Sequence, residues 1–232
     1  MQFFRTLTAA GLIAAAATAP VAAAEISGAG SSFAYPIYAK WIEAYKKETG
    51  VAVDYRSVGS ADGIRQVQSK EITFGASDMP LGARELEADG LIQFPTVVAG
   101  VVVVINVDGV KSGELTLDGG TLARIFLGEI RSWNDADWEA TPGFGAILTN
   151  QAGENAWPIA AATFVLMHRQ PNAPAATNAA LKFFAWALAK GGKMAEELDY
   201  VPMPVNVVGA VQKVWATQIK DPAGKPVYAI SR

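Results

Sequence analysis

Residues 25–50 read EISGAGSSFAYPIYAKWIEAYKKETG, and the order of residue types in this stretch indicates the fold. A short apolar strand is followed by a loop of small residues at positions 28–33, and then by a predicted helix over residues 36–49. The apolar residues of that helix recur every fourth position, at Ile37, Trp41 and Tyr45. A strand, a loop and a helix in this order are the repeating unit of α/β proteins.

The same alternation of strands and helices continues through the rest of the chain. Further strands are predicted at residues 51–55, 72–76, 97–107 and 162–167. Further helices are predicted around residues 64–67, 122–126, 178–190 and 205–220. In the second of these helices, Asp118 or Thr121 is the predicted cap, and the residues predicted to face inward are Leu122, Ile125 and Phe126. The alternation predicts an α/β fold with a largely parallel sheet.

The composition excludes several classes of protein. Hydrophobic residues make up 51% of the 232 residues and charged residues 18%, which is typical of a folded globular chain. The absence of cysteine excludes disulfides, thiolate zinc sites and a cysteine nucleophile. Since His168 is the single histidine, sites made of several histidines are also excluded, and we expect no metal and no cofactor. A formal net charge of −3 argues against a nucleic-acid surface.

Residues 1–24 have the three parts of a secretory signal peptide. Arg5 supplies a positive charge, an alanine-rich apolar stretch follows at residues 7–21, and three alanines at residues 22–24 provide the small residues that a signal peptidase recognises. We therefore expect cleavage before Glu25 and a soluble protein in the periplasm. The alternative, a membrane anchor, is disfavoured because the apolar stretch is shorter than the roughly 20 residues of a membrane-spanning helix.

Three predicted loops follow strands, at residues 28–33, 59–63 and 77–78. The first turn of a helix carries unpaired N–H groups and a partial positive charge, so a loop that leads into a helix can hold an oxyanion. In open α/β sheets such sites gather at the carboxyl ends of the strands. In the first loop, Ser31 and Ser32 offer hydroxyl donors, although one of them could instead only cap the helix.

The other two loops each contain an acidic side chain. Asp62 would repel an anion unless its carboxylate points into solvent, and its loop could be a simple turn and helix cap. Asp78 could likewise be a turn residue before Pro80. As part of an anion site, however, the Asp78 carboxylate would accept a proton from the ligand. Phosphate keeps one or two protons around neutral pH whereas sulfate keeps none, so Asp78 predicts selectivity for phosphate.

The motifs around these loops resemble those of the periplasmic phosphate-binding proteins of bacterial phosphate ABC importers. The resemblance is carried by the stretches GAGSSFAYPIYAKW, GSADGIRQV, FGASDMPL and TFVLMHR, and it extends over nearly all of residues 25–228. It implies the α/β fold of a type II periplasmic solute-binding protein, in which phosphate lies in a cleft between two lobes. It also implies a metal-free monomer whose partners are inorganic phosphate and the membrane permease of an importer.

By the same resemblance, four residues are assigned to phosphate binding. Ser32 and Phe33 belong to the first loop, Ser60 belongs to the second, and Asp78 accepts the phosphate proton. The second loop departs from the family pattern, because the two residues that follow Ser60 are alanine and aspartate where serine and glycine are usual. This departure concerns the local charge of the loop, whereas Ser60 itself is kept.

A larger departure is a missing block. After the motif matched by residues 132–135, the family chain continues with a long segment that builds most of the second lobe and contains an arginine and a Ser-Gly-Thr loop. This sequence has no Ser-Gly-Thr tripeptide, and no arginine in it is assigned that role. The resemblance divides the chain into one near-complete lobe, residues 25–100 and 159–232, and a shortened second lobe, residues 101–158. We expect the shortened lobe to be looser, because fragments below roughly 70–80 residues rarely support a core.

The sequence leaves three functions to compare. The first is a periplasmic phosphate receptor of an ABC importer, with binding impaired by the internal deletion. The second is a binding module outside transport, which retains one lobe and presents exposed apolar surface to a partner. The third, a phosphoester hydrolase, is disfavoured because no histidine lies near Ser32 or Ser60 in the sequence. We expect His168 to be structural and the chain not to be an enzyme.

Overall fold

The structure, a computed structural model, describes residues 25–100, 119–130 and 160–230. The strands in these ranges are β1 (Ile26–Gly30), β2 (Val53–Ser57), β3 (Phe74–Ser77), β4 (Leu91–Gly100), β5 (Ala160–His168) and β6 (Tyr200–Pro202). The helices are α1 (Tyr35–Thr49), α2 (Ser60–Gln68), α3 (Ala83–Ala88), α4 (Gly119–Phe126), α5 (Pro174–Lys190), α6 (Gly192–Glu196) and α7 (Val205–Gln218). No helix in these ranges is both long and apolar enough to cross a membrane. The predicted α/β class is confirmed.

The six described strands form one mixed sheet in the order β2-β1-β3-β5-β4-β6. β2, β1 and β3 are parallel neighbours. β5 runs antiparallel to both β3 and β4, and β6 runs antiparallel to β4. The prediction of a largely parallel sheet is therefore wrong for the described part of the chain.

The antiparallel half of the sheet follows from the course of the chain between β4 and β5. β4 carries the chain to Gly100 and β5 brings it back from Ala160, and these two residues are paired in register. Because the chain leaves and returns at the same end of the sheet, the two strands run in opposite directions. Apolar periodicity does not reveal this, since a buried strand has the same pattern in either direction.

Helices on both faces of the sheet enclose its apolar side chains. The larger core combines side chains of α1, α5 and α7 with those of β1, β3, β4 and β5. Phe184 of α5 contacts Phe74 and Phe94 at ring-centroid distances of 5.0 and 5.5 Å, and Trp215 of α7 contacts Phe94 at 4.9 Å. Val67 of α2 belongs to a separate, smaller core. Burial of each large apolar side chain contributes roughly 1.5–3 kcal/mol to the stability of the folded state. The two cores therefore hold the strand ends in place.

Helix α1 forms where the sequence predicts it. Its apolar stripe, Ile37, Trp41 and Tyr45, is buried, as the four-residue spacing indicates. The helix ends at Gly50, whose φ of 75° lies in the left-handed region and whose N–H donates to the carbonyl oxygen of Lys46 at 2.8 Å. Glycine adopts this conformation without the steric penalty that other residues have, which explains why the helix ends there.

Helix α4 differs from its prediction in two respects. Thr121 lies inside the helix rather than capping it, and Phe126, which was expected to face inward, is 80% exposed. Leu122 is buried as predicted. The chain turns at Gly128, which has a φ of 73°, and the buried apolar residue after the helix is Ile130. Leu122 and Ile130 are thus buried while Phe126 is exposed, which a helical spacing rule applied to residues 122–126 does not anticipate.

Several predicted features lie outside the described residues. These are the signal peptide at residues 1–24, the cap Asp118 and residues 101–107 of the predicted strand. The remainder of that strand, residues 97–100, lies in β4. Most of the predicted second lobe, residues 101–158, is also outside the described ranges, so the division of the chain into lobes stays a prediction.

Candidate functional site

The three loops that the sequence singles out meet at one edge of the sheet. Since β1, β2 and β3 are parallel neighbours, their carboxyl ends lie side by side, and Gly30 is paired both with Ser57 and with Ala76. From these ends the chain enters α1, α2 and the turn at Asp78. This is the edge at which open α/β sheets bind ligands, so the structure brings the loops together as predicted.

The backbone of Gly30 joins the three loops. Its carbonyl oxygen accepts hydrogen bonds from the N–H groups of Val58 and Gly59 at 3.1 and 2.9 Å. Its φ is 139°, and a Cβ atom at this position would lie 2.0 Å from the carbonyl oxygen of Ala76. Helix α2 approaches from the other side, where a Cβ atom on Gly63 would lie 2.5 Å from the Gly30 Cα. Only glycine permits these approaches.

The carboxylate of Asp78 is the centre of the site, and three hydroxyl groups donate to it. Oδ1 accepts hydrogen bonds from Ser31 Oγ at 2.5 Å and from Thr163 Oγ1 at 2.7 Å. Oδ2 accepts one longer bond, from Ser60 Oγ at 3.3 Å. The Asp78 N–H in turn donates to Ser60 Oγ at 3.1 Å. The carboxylate therefore lies among hydroxyl donors from three separate elements, and Oδ2 is its less engaged oxygen.

Of the four predicted site residues, the structure joins Ser60 and Asp78 directly. Ser32 is exposed, and its hydroxyl makes no hydrogen bond to Asp78 in the described structure. The Phe33 ring packs edge-on against Tyr200 at a centroid distance of 5.8 Å. The N–H groups of Ser32 and Phe33 donate to no described residue, and they lie just before α1. N–H groups just before a helix are groups to which an anion can bond.

Two further residues of the site are Ser31 and Thr163. The sequence suggested that Ser31 is either a cap or a donor, and it is a donor: its hydroxyl donates to Asp78 and accepts the N–H of Ala34, which is itself the N-cap of α1. Thr163 was not predicted. It reaches Asp78 from β5, 85 positions along the chain, across the antiparallel pairing of β3 and β5. No local motif marks it, and only the pairing of Ser77 with Phe164 brings it to the site.

Asp62, whose carboxylate would repel an anion if it pointed into the site, is directed to the surface. Its carboxylate is about half exposed and pairs with the guanidinium of Arg65, one helical turn further on, at 2.8 Å. The charge of Asp62 is therefore directed to Arg65 on the surface of α2. The acidic residue in the second loop does not place an unpaired negative charge beside Ser60.

His168 is structural, as the sequence predicts. Its ring is buried, and its Nε2 lies 2.6 Å from the carbonyl oxygen of Val67, which links β5 to α2. Along β5 it is five residues from Thr163, a distance of about 16 Å at the usual rise of a strand. It is therefore too far from Asp78 and Ser60 to act as a base at the site.

We expect His168 to make the folded state sensitive to mild acid. Burial lowers the pKa of His168 below its ordinary value of about 6.5, because the charged imidazole is poorly solvated there. The unfolded chain then binds a proton that the folded chain does not. The stability that comes from keeping His168 neutral is complete above the pKa that the residue has in the unfolded chain. It is lost as the pH falls through the lower pKa that the residue has in the folded chain.

Urea unfolding of the wild type and of His168→Gln between about pH 7 and pH 5 measures this effect. The free energy of unfolding should fall more steeply with acidification in the wild type than in the variant. A parallel decline in the two proteins would show that His168 is not the group that titrates.

Comparison with known proteins gives consistent matches. A sequence profile described as "PBP superfamily domain" matches residues 14–196. The phosphate-binding protein PstS of Haemophilus influenzae is 31% identical over 88% of this chain and 96% of its own length. That of Pasteurella multocida is 30% identical over 88% of this chain and 93% of its own length.

Solved structures show the same fold. The phosphate-binding protein from Stenotrophomonas maltophilia superposes with a TM-score of 0.62 at 13% identity, covering 88% of this chain and 99% of its own. An ABC-type phosphate transport receptor from Vibrio cholerae superposes with a TM-score of 0.56 at 17% identity, covering 78% and 100%. At these identities the likeness concerns the fold alone, which is that of periplasmic binding proteins.

The alignments also show a difference in length. They extend over 320 and 322 positions in the two relatives, which is more than the 232 residues of this chain. Both relatives therefore contain internal positions that have no counterpart here. This agrees with the missing block that the motifs indicate.

Proposed function

Because the chain belongs to the PBP superfamily and, within it, to the PstS phosphate-binding proteins, we propose that it is a periplasmic receptor for inorganic phosphate. In this proposal the receptor presents phosphate to the membrane permease of an ABC importer and acts as a monomer. The relatives are binding proteins rather than enzymes. The position of His168, remote from the hydroxyl groups, supports a binding role over a hydrolytic one for this chain as well.

The observation that carries the proposal is the unequal use of the two oxygens of Asp78. Among the described residues, Oδ1 accepts two short hydrogen bonds, whereas Oδ2 accepts only the 3.3 Å bond from Ser60. Each carboxylate oxygen has about two lone pairs, so Oδ2 retains the capacity to accept a proton from a ligand. A phosphate with one or two protons supplies that donor. Sulfate has none and would meet the carboxylate with an unfavourable contact between negative oxygens.

The remaining phosphate oxygens would be bound by groups that donate. The N–H groups of Ser32 and Phe33 precede α1, whose first turn adds a partial positive charge. The hydroxyl of Ser60, in the first turn of α2, is the third donor, because the ligand would draw its single proton away from the long 3.3 Å bond to Asp78 Oδ2. In this arrangement Ser32, Phe33, Ser60 and Asp78 are all ligands, as the resemblance implies, but Ser32 and Phe33 act through the backbone.

Binding should be weaker than in a receptor with two complete lobes. By resemblance, the missing block carries an arginine and a Ser-Gly-Thr loop that hold phosphate from the far side. A hydrogen bond to a charged group contributes about 1.5–3 kcal/mol to binding. The loss of two such contacts therefore raises the dissociation constant by roughly two to four orders of magnitude. The near side of the site, around Asp78, is kept.

Isothermal titration of residues 25–232 with phosphate and with sulfate tests the proposal. We expect phosphate to bind and sulfate to bind at least ~10-fold more weakly, because a single acceptor that only a protonated anion satisfies is worth about 1.4 kcal/mol or more. Equal affinities for the two anions, or no phosphate binding by a folded chain, would contradict it.

The second candidate, a binding module outside transport, is favoured by one feature of the same edge. Tyr35, Val58 and Met79 surround the loops and are 45%, 39% and 74% exposed. Exposed apolar side chains around a site are typical of a surface that another protein covers. A folded chain that binds no phosphate but forms a stable complex with a partner protein would support this candidate.

A further inference from the structure

Two side chains hold the carboxylate of Asp78 in place, and the sequence predicted neither of these contacts. Ser31, in the loop between β1 and α1, and Thr163, on β5, both donate to Oδ1. Both residues are fully buried. Two hydrogen bonds to the same oxygen fix the rotation of the carboxylate about its own axis, and therefore fix the direction in which the other oxygen points.

Ser31 is oriented by bonds at each of its polar groups. Its hydroxyl oxygen accepts the Ala34 N–H at 2.9 Å, which leaves the hydroxyl proton for Asp78. Its carbonyl oxygen accepts the hydroxyl of Tyr55 at 2.8 Å, and its N–H donates to the carbonyl oxygen of Ala76 at 2.9 Å. With these four partners, Ser31 cannot turn its hydroxyl away from Asp78 without breaking other buried hydrogen bonds.

Thr163 is oriented by an irregularity in the sheet. The register of β4 and β5 shifts between Pro95 and Val97, so Thr96 is an extra residue opposite β5. Thr96 has no register partner in β5, and its hydroxyl donates to the carbonyl oxygen of Thr163 at 3.1 Å. Bulges of this kind commonly occur beside functional sites, where they redirect a side chain.

A buried phenol completes this support. Tyr38 Oη lies 2.7 Å from Thr96 Oγ1, and because Thr96 uses its proton on the Thr163 carbonyl, Tyr38 is the donor. Burial raises the pKa of Tyr38, so the phenol keeps the proton that it donates. The chain of bonds runs from Tyr38 through Thr96 and Thr163 to Asp78, and it connects α1, β4 and β5 to the carboxylate.

From this geometry we propose that Ser31 and Thr163 are positioning residues of the phosphate site, which orient Asp78 so that Oδ2 is the oxygen that receives the ligand proton. The inference rests on the proposed function. A carboxylate that is already oriented loses less conformational freedom when the ligand binds. It also cannot rotate to relieve the contact with a fully deprotonated anion, so the same two bonds sharpen the discrimination against sulfate.

Thr163→Val tests the inference, because valine keeps the shape of threonine and removes the hydroxyl. We expect phosphate affinity to fall about 5- to 30-fold and sulfate affinity to change less, so that the ratio of the two dissociation constants decreases. Thr163→Ser, which restores the hydroxyl, should return both values to within about twofold of the wild type. Ser31→Ala is a poorer probe because it also removes the Ala34 bond at the start of α1.

Thr177→Val is the matched control. Thr177 is buried in α5, where it lines the same pocket as His168, so the variant makes the same chemical change away from Asp78. It should bind phosphate and sulfate like the wild type. A Thr163→Val protein that binds both anions like the wild type, or a Thr163→Ser protein that behaves like Thr163→Val, would overturn the inference.

The hydroxyl protons of Thr163 and Ser31 give a second readout that requires no ligand. In the wild type they should exchange slowly enough to be seen by NMR, and Asp78→Ala should abolish both signals. Rapid exchange in the wild type would overturn the inference even if Thr163→Val fails to fold. A wild type that shows slow hydroxyl exchange but no phosphate binding would instead overturn the proposed function, and with it the assigned role of the two residues.

Discussion

Replacing Asp78 by asparagine is expected to weaken phosphate binding about 10- to 100-fold while leaving sulfate binding unchanged or tighter. The variant loses the negative oxygen that accepts the phosphate proton, and a hydrogen bond of this charged kind is worth about 1.5–3 kcal/mol. For sulfate the same change removes a repulsive contact. Titration calorimetry with both anions should therefore show that the selectivity for phosphate is largely lost.

Asp62→Asn is the matched control for this experiment. It removes one negative charge from the neighbouring loop, but Asp62 is paired with Arg65 at the surface and makes no described contact with Ser60 or Asp78. Its phosphate affinity should stay within about twofold of the wild type, because exposed ion pairs contribute little. If both variants lose affinity equally, the effect is one of overall charge, and Asp78 is not the specific acceptor.

Replacing Gly30 by alanine is expected to destabilise the whole sheet. Its φ of 139° is unfavourable for alanine, and the new Cβ atom would lie 2.0 Å from the Ala76 carbonyl oxygen. Strained backbone and overpacking each contribute about 1–3 kcal/mol, so the free energy of unfolding should fall by about 2–6 kcal/mol. For a chain of this length, that lowers the Tm by roughly 5–20 °C.

Gly209→Ala makes the same substitution where the structure predicts the opposite effect. Gly209 lies inside α7, and a Cβ atom there meets nothing within 4 Å. Alanine is the better helix former, so this variant should be more stable by about 0.5–1 kcal/mol. Thermal unfolding of the two variants beside the wild type checks both signs. A Gly30→Ala protein with an unchanged Tm would show that the contact with Ala76 yields easily.

The features that the sequence predicts well depend on residues close together in the chain. The stripe of α1 follows from a four-residue spacing, and its end follows from Gly50. The meeting of three loops at one edge follows from the parallel order of the strands that precede them. Ser60 and Asp78 were predicted partners of one ligand, and they are in contact.

The features that the sequence does not predict depend on pairing between distant segments. Thr163 reaches Asp78 because β5 lies beside β3 in the opposite direction, and an apolar strand carries no mark of its direction. Phe126 is exposed, and the next buried apolar residue is Ile130, beyond the turn at Gly128. Ser31 and Ser32 are neighbours of the same residue type, and only the fold determines which of the two hydroxyl groups is buried against the Asp78 carboxylate.

The pairing of Gly100 with Ala160 has an evolutionary consequence. The two ends of the intervening segment lie about one strand spacing apart, so any insert whose ends meet at that spacing can be exchanged without moving β4 or β5. The entropic free-energy cost of closing such an insert rises by only about 0.6 kcal/mol when its length doubles. Lineages can therefore gain or lose large blocks at this junction while the hydroxyl groups around Asp78 stay in place.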